Sequence, residues 1–357
     1  MNPGKTERWV VSFQECGKDD AGLVGGKSAN LGEMCKLGIP VPLGFTVTSE
    51  VNKRFFEITS NEKKIEEFLS KFPEKPTAID EFNEIANYVQ NLIESTEIPV
   101  EFQKPISEAY SGLCDRYKVK DVPVAVRSSG VAEDMAMASF AGQYDSYLNV
   151  QGTEEVFKNV LKCWASAFTP RCISYRIKNN LPIFSKAVSV AVAVQKMVRS
   201  RASGVGFTVN PNTGNKTKIV LEGNWGVGES VVQGIVEPDR FEVDKETLRV
   251  VNAEIRCKQK QVVFSEKGTI EQDVPAEKQK TPCIAHCEAE MVAKCAKMAE
   301  EYYGLPLDIE WAIDTDLEFP QNVFLVQARP VTAMATERSA TEKILDFLCT
   351  RTFPVSH

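Results

Sequence analysis

The chain has 357 residues, a net charge of −7 and 43% hydrophobic residues. That length allows roughly two domains, and the apolar share is ample for buried cores, which excludes a disordered chain. Acids and bases are mixed without a basic stripe, which argues against nucleic acid as a partner. The polar start, Met1 to Arg8, lacks the apolar core of a signal peptide, and no stretch approaches the roughly 18 apolar residues of a membrane span. A cytoplasmic location without a membrane partner is expected.

In chain order, residues 22–26 read as a glycine-rich loop and 27–37 as a helix stopped by Gly38. Residues 39–45 are extended and lead into a strand at 45–47. Residues 52–72, 77–94 and 100–117 carry helical periodicity. An apolar strand at 122–126 ends in Arg127-Ser128-Ser129-Gly130, and a further strand is expected at 147–150 before a helix at 154–179. From Ala187 the texture is β-rich, with strands expected at 188–198, 204–210, 218–222, 240–244 and 249–251. A helix at 285–303 precedes two short apolar segments. A subdomain boundary near 182–186 divides the chain into lobes 1–185 and 186–335. A tail, 336–357, with a short helix at 342–348, is expected to dock a partner.

The two apolar segments hold the most chemistry. In a strand alternate residues share a face, so Asp308 and Glu310 point one way and Ile309, Trp311 and Ile313 the other. Leu325, Gln327 and Arg329 share a face by the same rule. Paired as a hairpin, the two strands converge two carboxylates, an amide oxygen and a guanidinium. Oxygen ligands suit Mg²⁺, and the arginine fork suits phosphate. The plain alternative is a hairpin with one solvated face.

Other segments are individually weaker. Gly25-Gly26-Lys27-Ser28 ends like a P-loop, but the required earlier glycine is Ala21. A glycine-rich turn with lysine at a helix start can still hold an anion. Arg127, with two serine hydroxyls beside it, suits phosphates, and Ser139-Phe140-Ala141-Gly142-Gln143 is a second small-residue loop. Gln195-Lys196-Met197-Val198 ends an apolar strand whose open backbone could pair with an adenine edge. Gly223 to Glu229 resembles half a dinucleotide fingerprint, but position 231 is Val231, which removes the Rossmann reading. Cys283, His286, Cys287 and Cys295 could suggest metal, yet Cys287, Met291, Cys295 and Met298 fall at helical spacing and read as one core face. The only histidines, His286 and His357, are poorly placed for catalysis.

Taken together these segments, with Gly38 to Phe45, Ser203 to Thr208 and Gln327-Ala328-Arg329-Pro330, resemble the ATP-binding domain of the phosphoenolpyruvate synthase and pyruvate phosphate dikinase family, which rifampicin phosphotransferase shares. The resemblance runs from about Leu23 to Thr332. It implies an α+β ATP-grasp fold whose two lobes clamp the nucleotide. It implies that Lys27, Arg127 and Arg329 are catalytic and contact ATP phosphates. It places Ser139, Gly142, Gln195, Lys196, Met197, Val198, Glu229 and Asp308 against ATP, and makes Glu310 and Gln327 the Mg²⁺ ligands. Nothing resembles the family's phosphorylatable-histidine segment. As a separate chain the sequence resembles the ATP-domain subunit of phenylphosphate synthase. A separate subunit carrying the histidine and the acceptor site is therefore the expected partner, receiving a phosphoryl or pyrophosphoryl group as MgATP is cleaved to AMP and phosphate. The alternatives are an N-terminal fragment of phosphoenolpyruvate synthase or rifampicin phosphotransferase, and, in another class, a non-catalytic nucleotide-sensing module.

Overall fold

The computed structural model describes residues 8–130, 145–185, 189–211 and 213–331. Its strands form two main antiparallel sheets. The first contains β1 (Val10–Ser12), β2 (Gly44–Val47), β3 (Val124–Gly130), β4 (Ser146–Val150) and β5 (Val190–Lys196), in the order β1-β2-β5-β3-β4. The second is drawn from β6 (Ser200–Phe207), β7 (Lys218–Trp225), β8 (Asp239–Asp244), β9 (Val250–Glu254), β12 and β13. A separate hairpin, β10 (Lys260–Phe264) and β11 (Thr269–Asp273), lies between them in sequence. With β12 (Leu307–Asp314) and β13 (Val323–Pro330), the second sheet runs β13-β12-β6-β7-β8-β9.

The helices are α1 (Ala21–Lys36), α2 (Ser49–Ile58), α3 (Asn61–Leu69), α4 (Ile79–Glu94), α5 (Val100–Tyr117), α6 (Thr153–Ser166), α7 (Pro170–Lys178), α8 (Glu229–Val232) and α9 (His286–Tyr303). Two expected helices are each split. The 52–72 segment breaks at Ser60, which takes a left-handed conformation with φ 57°. The 154–179 segment breaks before Pro170, where the Thr169 side chain caps the next helix by accepting from the Cys172 amide. A proline suits the first turn of a helix and not its interior.

β5 shows how the first sheet is covered on both faces. Val190, Val192 and Val194 enter the core formed with α2, α4, α5 and α6, while Ala193 faces the other way. Small side chains on that second face leave room for α1, which lies across β3, β5 and β13. Leu31 and Met34 of α1, with Phe13, Ile39 and Val41, complete a core shared with the second sheet and α9. The N-terminal segment thus joins both sheets. β5 belongs to the first sheet, so the change of sheet comes at 197–199, later than the expected boundary at 185/186.

The core face of α9 also differs from expectation. It is formed by Ala289, Val292, Ala293, Cys295, Ala296 and Ala299, whereas Cys287 is exposed and Met291 and Met298 are only partly buried. Alanines let the helix approach the sheet closely, beside the full-sized Ile309, Trp311 and Leu325. Among the described residues, no helix is long and apolar enough to cross a membrane.

Candidate functional site

The β12–β13 hairpin forms as its alternation predicts. Asp308 pairs with Arg329, and Glu310 with Gln327. Cross-strand neighbours in such a ladder stand about 5 Å apart at Cβ, close enough for joint work. One detail departs from simple alternation. The register shifts after Glu310, so that Trp311 pairs with Leu325 and Val326 is the extra residue of a bulge. Leu325 is therefore turned into the core, not onto the polar face with Gln327 and Arg329.

The bulge has a partner in the other sheet. Arg127 donates through Nη1 to the Val326 carbonyl at 3.4 Å and through Nη2 to Glu310 Oε2 at 2.9 Å. Arg127 does not end its strand, as expected, but lies within β3, paired with Ala193 of β5. Its backbone is thus held between β5 and β4, where it also pairs with Ser146, while its side chain reaches the second sheet.

Arg329 donates to one oxygen of Asp308 through Nε at 2.8 Å and approaches the same oxygen through Nη2 at 2.7 Å. The two carboxyls are driven in opposite directions. Burial pushes the Glu310 carboxyl up, but Arg127, aided by Arg329 and Lys27, holds it below the ordinary carboxylate range. At Asp308 burial prevails over Arg329, with the Glu310 charge adding to it, and the carboxyl is raised. Glu310 is therefore the more acidic carboxyl of the two and is ionised at neutral pH.

Lys27 reaches this face from α1. The helix is interrupted at Gly25, which has φ 74° and ψ 163°. A Cβ there would also collide with the Ser129 carbonyl, so glycine meets both a backbone and a space requirement. The interruption docks the following turn on the end of β3. Ser129 Oγ donates to the Val24 carbonyl at 2.8 Å, the Ser28 amide donates to Ser129 Oγ at 3.2 Å, and Lys27 Nζ donates to the Ser128 carbonyl at 2.6 Å. The Ser128 and Ser129 hydroxyls, read from sequence as phosphate binders, are fully buried and work as struts between elements.

Gln327 supplies the clearest sign of a ligand site. Its side chain is 6% exposed, and among the described residues its buried Oε1 has no hydrogen-bond partner. Leaving a buried acceptor unsatisfied costs about 1–3 kcal/mol, and such a group calls for a reason. A neutral amide oxygen opposite an ionised carboxylate is a donor set that suits Mg²⁺, which takes few protein oxygens and completes its shell from phosphate and water. Glu310 and Gln327 thus fit the metal expected of them.

The segment at the end of β5 is less open than its sequence suggests. β5 is a central strand, and beyond its ladder the Lys196 amide donates to Leu43 and the Met197 amide to Pro123, each at 2.8 Å. The Lys196 side chain is engaged by Asp314 at 3.6 Å and lies 5.1 Å from the Tyr117 ring centroid. What the segment presents is apolar. Met197 packs with Ala125, Val227 and Val262, flanked by Leu148 and Phe264, in a small cluster between the sheets. Neither Val227 nor Val262 carries a sequence signal for this role, because each is brought there by tertiary packing alone. Buried Gln195 adds an Nε2 that has no acceptor among the described residues. Glu229 accepts from Thr269 Oγ1 at 2.7 Å and joins α8 to β11. Ser139 and Gly142 lie outside the described residues, as does His357. His286 is exposed at the start of α9, in a groove with Arg201, Pro282 and Phe319. Among the described residues no group of three or more His, Cys, Asp and Glu side chains is placed to hold a metal, and the proposed pair uses an amide instead.

Residues 21–346 match the family described as the AMP/ATP-binding domain of pyruvate phosphate dikinase. The chain is 40% identical over 344 residues to a probable phosphoenolpyruvate synthase of Methanothermobacter thermautotrophicus, covering 96% of this chain and 48% of that protein. It is 38% identical to the phosphoenolpyruvate synthase of Aeropyrum pernix, covering 94% of this chain and 44% of that one. The corresponding enzyme of Pyrococcus furiosus is 37% identical, with 94% and 45% covered. The chain thus spans about half the length of these curated relatives. The mixture of helices and antiparallel sheets is the α+β arrangement of an ATP-grasp domain. With the match extending over nearly all of its length, the chain belongs to the family of pyruvate phosphate dikinase AMP/ATP-binding domains.

Proposed function

We propose that this chain binds MgATP across the polar face of the β12–β13 hairpin and starts a dikinase-type phosphotransfer to a histidine that lies outside this site. The observation that carries the reading is the pairing of ionised Glu310 with the unsatisfied buried oxygen of Gln327, facing the cations Lys27, Arg127 and Arg329. Bound Mg²⁺ would neutralise phosphate oxygens. Arg329 offers a planar fork to the transferring group, and Lys27 and Arg127 offer charge from α1 and the first sheet respectively. Phosphoryl transfer needs little more than such positioning and charge stabilisation. The apolar cluster at Met197 is suited to the base.

In the proposed reaction the bond between the α- and β-phosphates breaks and AMP leaves. The pyrophosphoryl group passes to the histidine, and hydrolysis of its outer bond releases phosphate. The carrier is either on a further part of a longer polypeptide or on a partner subunit. The names of the relatives favour the ATP-binding portion of a phosphoenolpyruvate synthase, with pyruvate as final acceptor, over the phenol of phenylphosphate synthase. The test is label transfer from ATP labelled at the β-phosphate. Label is expected on the added histidine-bearing segment. Stable labelling of this chain, removed by His286→Ala, contradicts the proposal.

A further inference from the structure

Two adjacent tyrosines at the end of α9 hold the helix that carries Lys27. Tyr302 donates its hydroxyl to Glu33 Oε2, and Tyr303 donates to Asn30 Oδ1 at 3.0 Å. Asn30 neighbours Lys27 one turn along α1, and Glu33 neighbours Asn30 one turn further. Glu33 is 5% exposed and also accepts from the Lys18 amide at 2.9 Å and from Lys36 Nζ at 3.3 Å. Space is reserved for this carboxylate: a Cβ at Gly17 would collide with Glu33 Oε1 and with Lys36 Nζ. The other side of the clasp is equally anchored. α9 packs on β12 and β13, the strands that carry Glu310, Gln327 and Arg329.

The hydroxyl of each tyrosine therefore ties α1 to the helix backing the hairpin. We infer that Tyr302 and Tyr303 are positioning residues that set the reach of Lys27 to the nucleotide phosphates by fixing α1 through Glu33 and Asn30. The inference rests on the phosphate role proposed above for Lys27. Packing of Leu31 and Met34 fixes the distance between α1 and the second sheet. The bonds to Ser128 and Ser129 hold the start of α1 on the first sheet, but apolar contact with the second sheet is not directional and opposes sliding against that sheet only weakly. Hydrogen bonds have the directionality to oppose it.

The test is calorimetric binding of MgATP and of AMP to the 357-residue chain, using Tyr302→Phe/Tyr303→Phe, Lys27→Ala and the three changes together. The phenylalanine pair is expected to weaken MgATP about three- to tenfold and AMP less than about twofold, and its effect should fall below about twofold once Lys27 is alanine. A purely structural role would weaken both nucleotides alike. Equal losses for AMP and MgATP, or a loss that persists in full on the Lys27→Ala background, overturns the inference while the site reading stands. A Lys27→Ala chain with unchanged MgATP affinity removes the phosphate role and the inference with it. Should the pair fail to fold, Tyr303→Phe alone carries the same comparison, since it leaves the Glu33 bonds in place.

Discussion

Arg127 and Glu310 join the two sheets, so their coupling can be measured through stability as well as binding. Their side chains are 13% and 24% exposed, and they meet at 2.9 Å. Removing one member of a fully buried pair costs about 3–5 kcal/mol, and of an exposed pair near 0–1. Glu310 keeps some access to water, and Arg329 and Lys27 remain as cations nearby. Arg127→Met should therefore cost about 2 kcal/mol at pH 7, and about 0.5 kcal/mol on a Glu310→Gln background, where no charge is left unpaired. The sign with pH follows from the depressed Glu310 pKa. Its contribution is present above the unfolded value of about 4.3 and is lost as the pH falls through the lower folded value. In Arg127→Met the largest influence on Glu310, burial, is no longer outweighed by its main cation, so the carboxyl takes up its proton at higher pH. Urea unfolding at pH 7 and again near pH 3.5, followed by circular dichroism, measures both effects. Additive losses in the double variant, or a stability gap that is the same at both pH values, would refute the pairing argument.

Arg329→Lys keeps the charge but loses the fork that now meets Asp308 through Nε and Nη2. It should slow label transfer about tenfold or more while changing ATP affinity less, because charge on the transferring group is stabilised most in the transition state; unchanged rate with weakened binding would restrict Arg329 to anchoring. Gly25→Ala places a side chain at φ 74° against the Ser129 carbonyl. A loss of about 3 kcal/mol is expected, and a melting temperature equal to wild type would show that the backbone interruption before Lys27 is not required.

The hairpin face was readable because two-residue alternation directly reports which side chains share a side. The bulge at Val326 was not, since one extra residue in a ladder leaves no mark in composition, and it is the bulge that turns Leu325 inward and a carbonyl toward Arg127. Helix α5 was readable from end to end. The breaks at Ser60 and before Pro170 are hidden in the sequence because apolar periodicity continues across them. Ser128 and Ser129 misled for a different reason: small hydroxyls serve phosphates and buried struts equally well, and only their partners distinguish the two. The largest omission was α1. Its small and apolar residues indicate a helix, but nothing local indicates that it packs against both sheets and is held by two tyrosines some 270 residues later. The apolar cluster that Met197 forms with Ala125, Val227 and Val262 is not legible in the sequence, because a cluster assembled from four distant segments has no linear pattern.

The central claim is that Glu310 and Gln327 hold the metal that accompanies ATP. It is tested most directly by calorimetric titration of ATP with and without Mg²⁺ into the unaltered chain, Glu310→Ala and Gln327→Ala. The account predicts that Mg²⁺ strengthens ATP binding in the unaltered chain and that either substitution removes this gain, while AMP binding without metal stays the same. Gln327→Ala should also fold normally, since it deletes an oxygen with no partner among the described residues. Full Mg²⁺-dependent ATP binding in both variants would contradict the account.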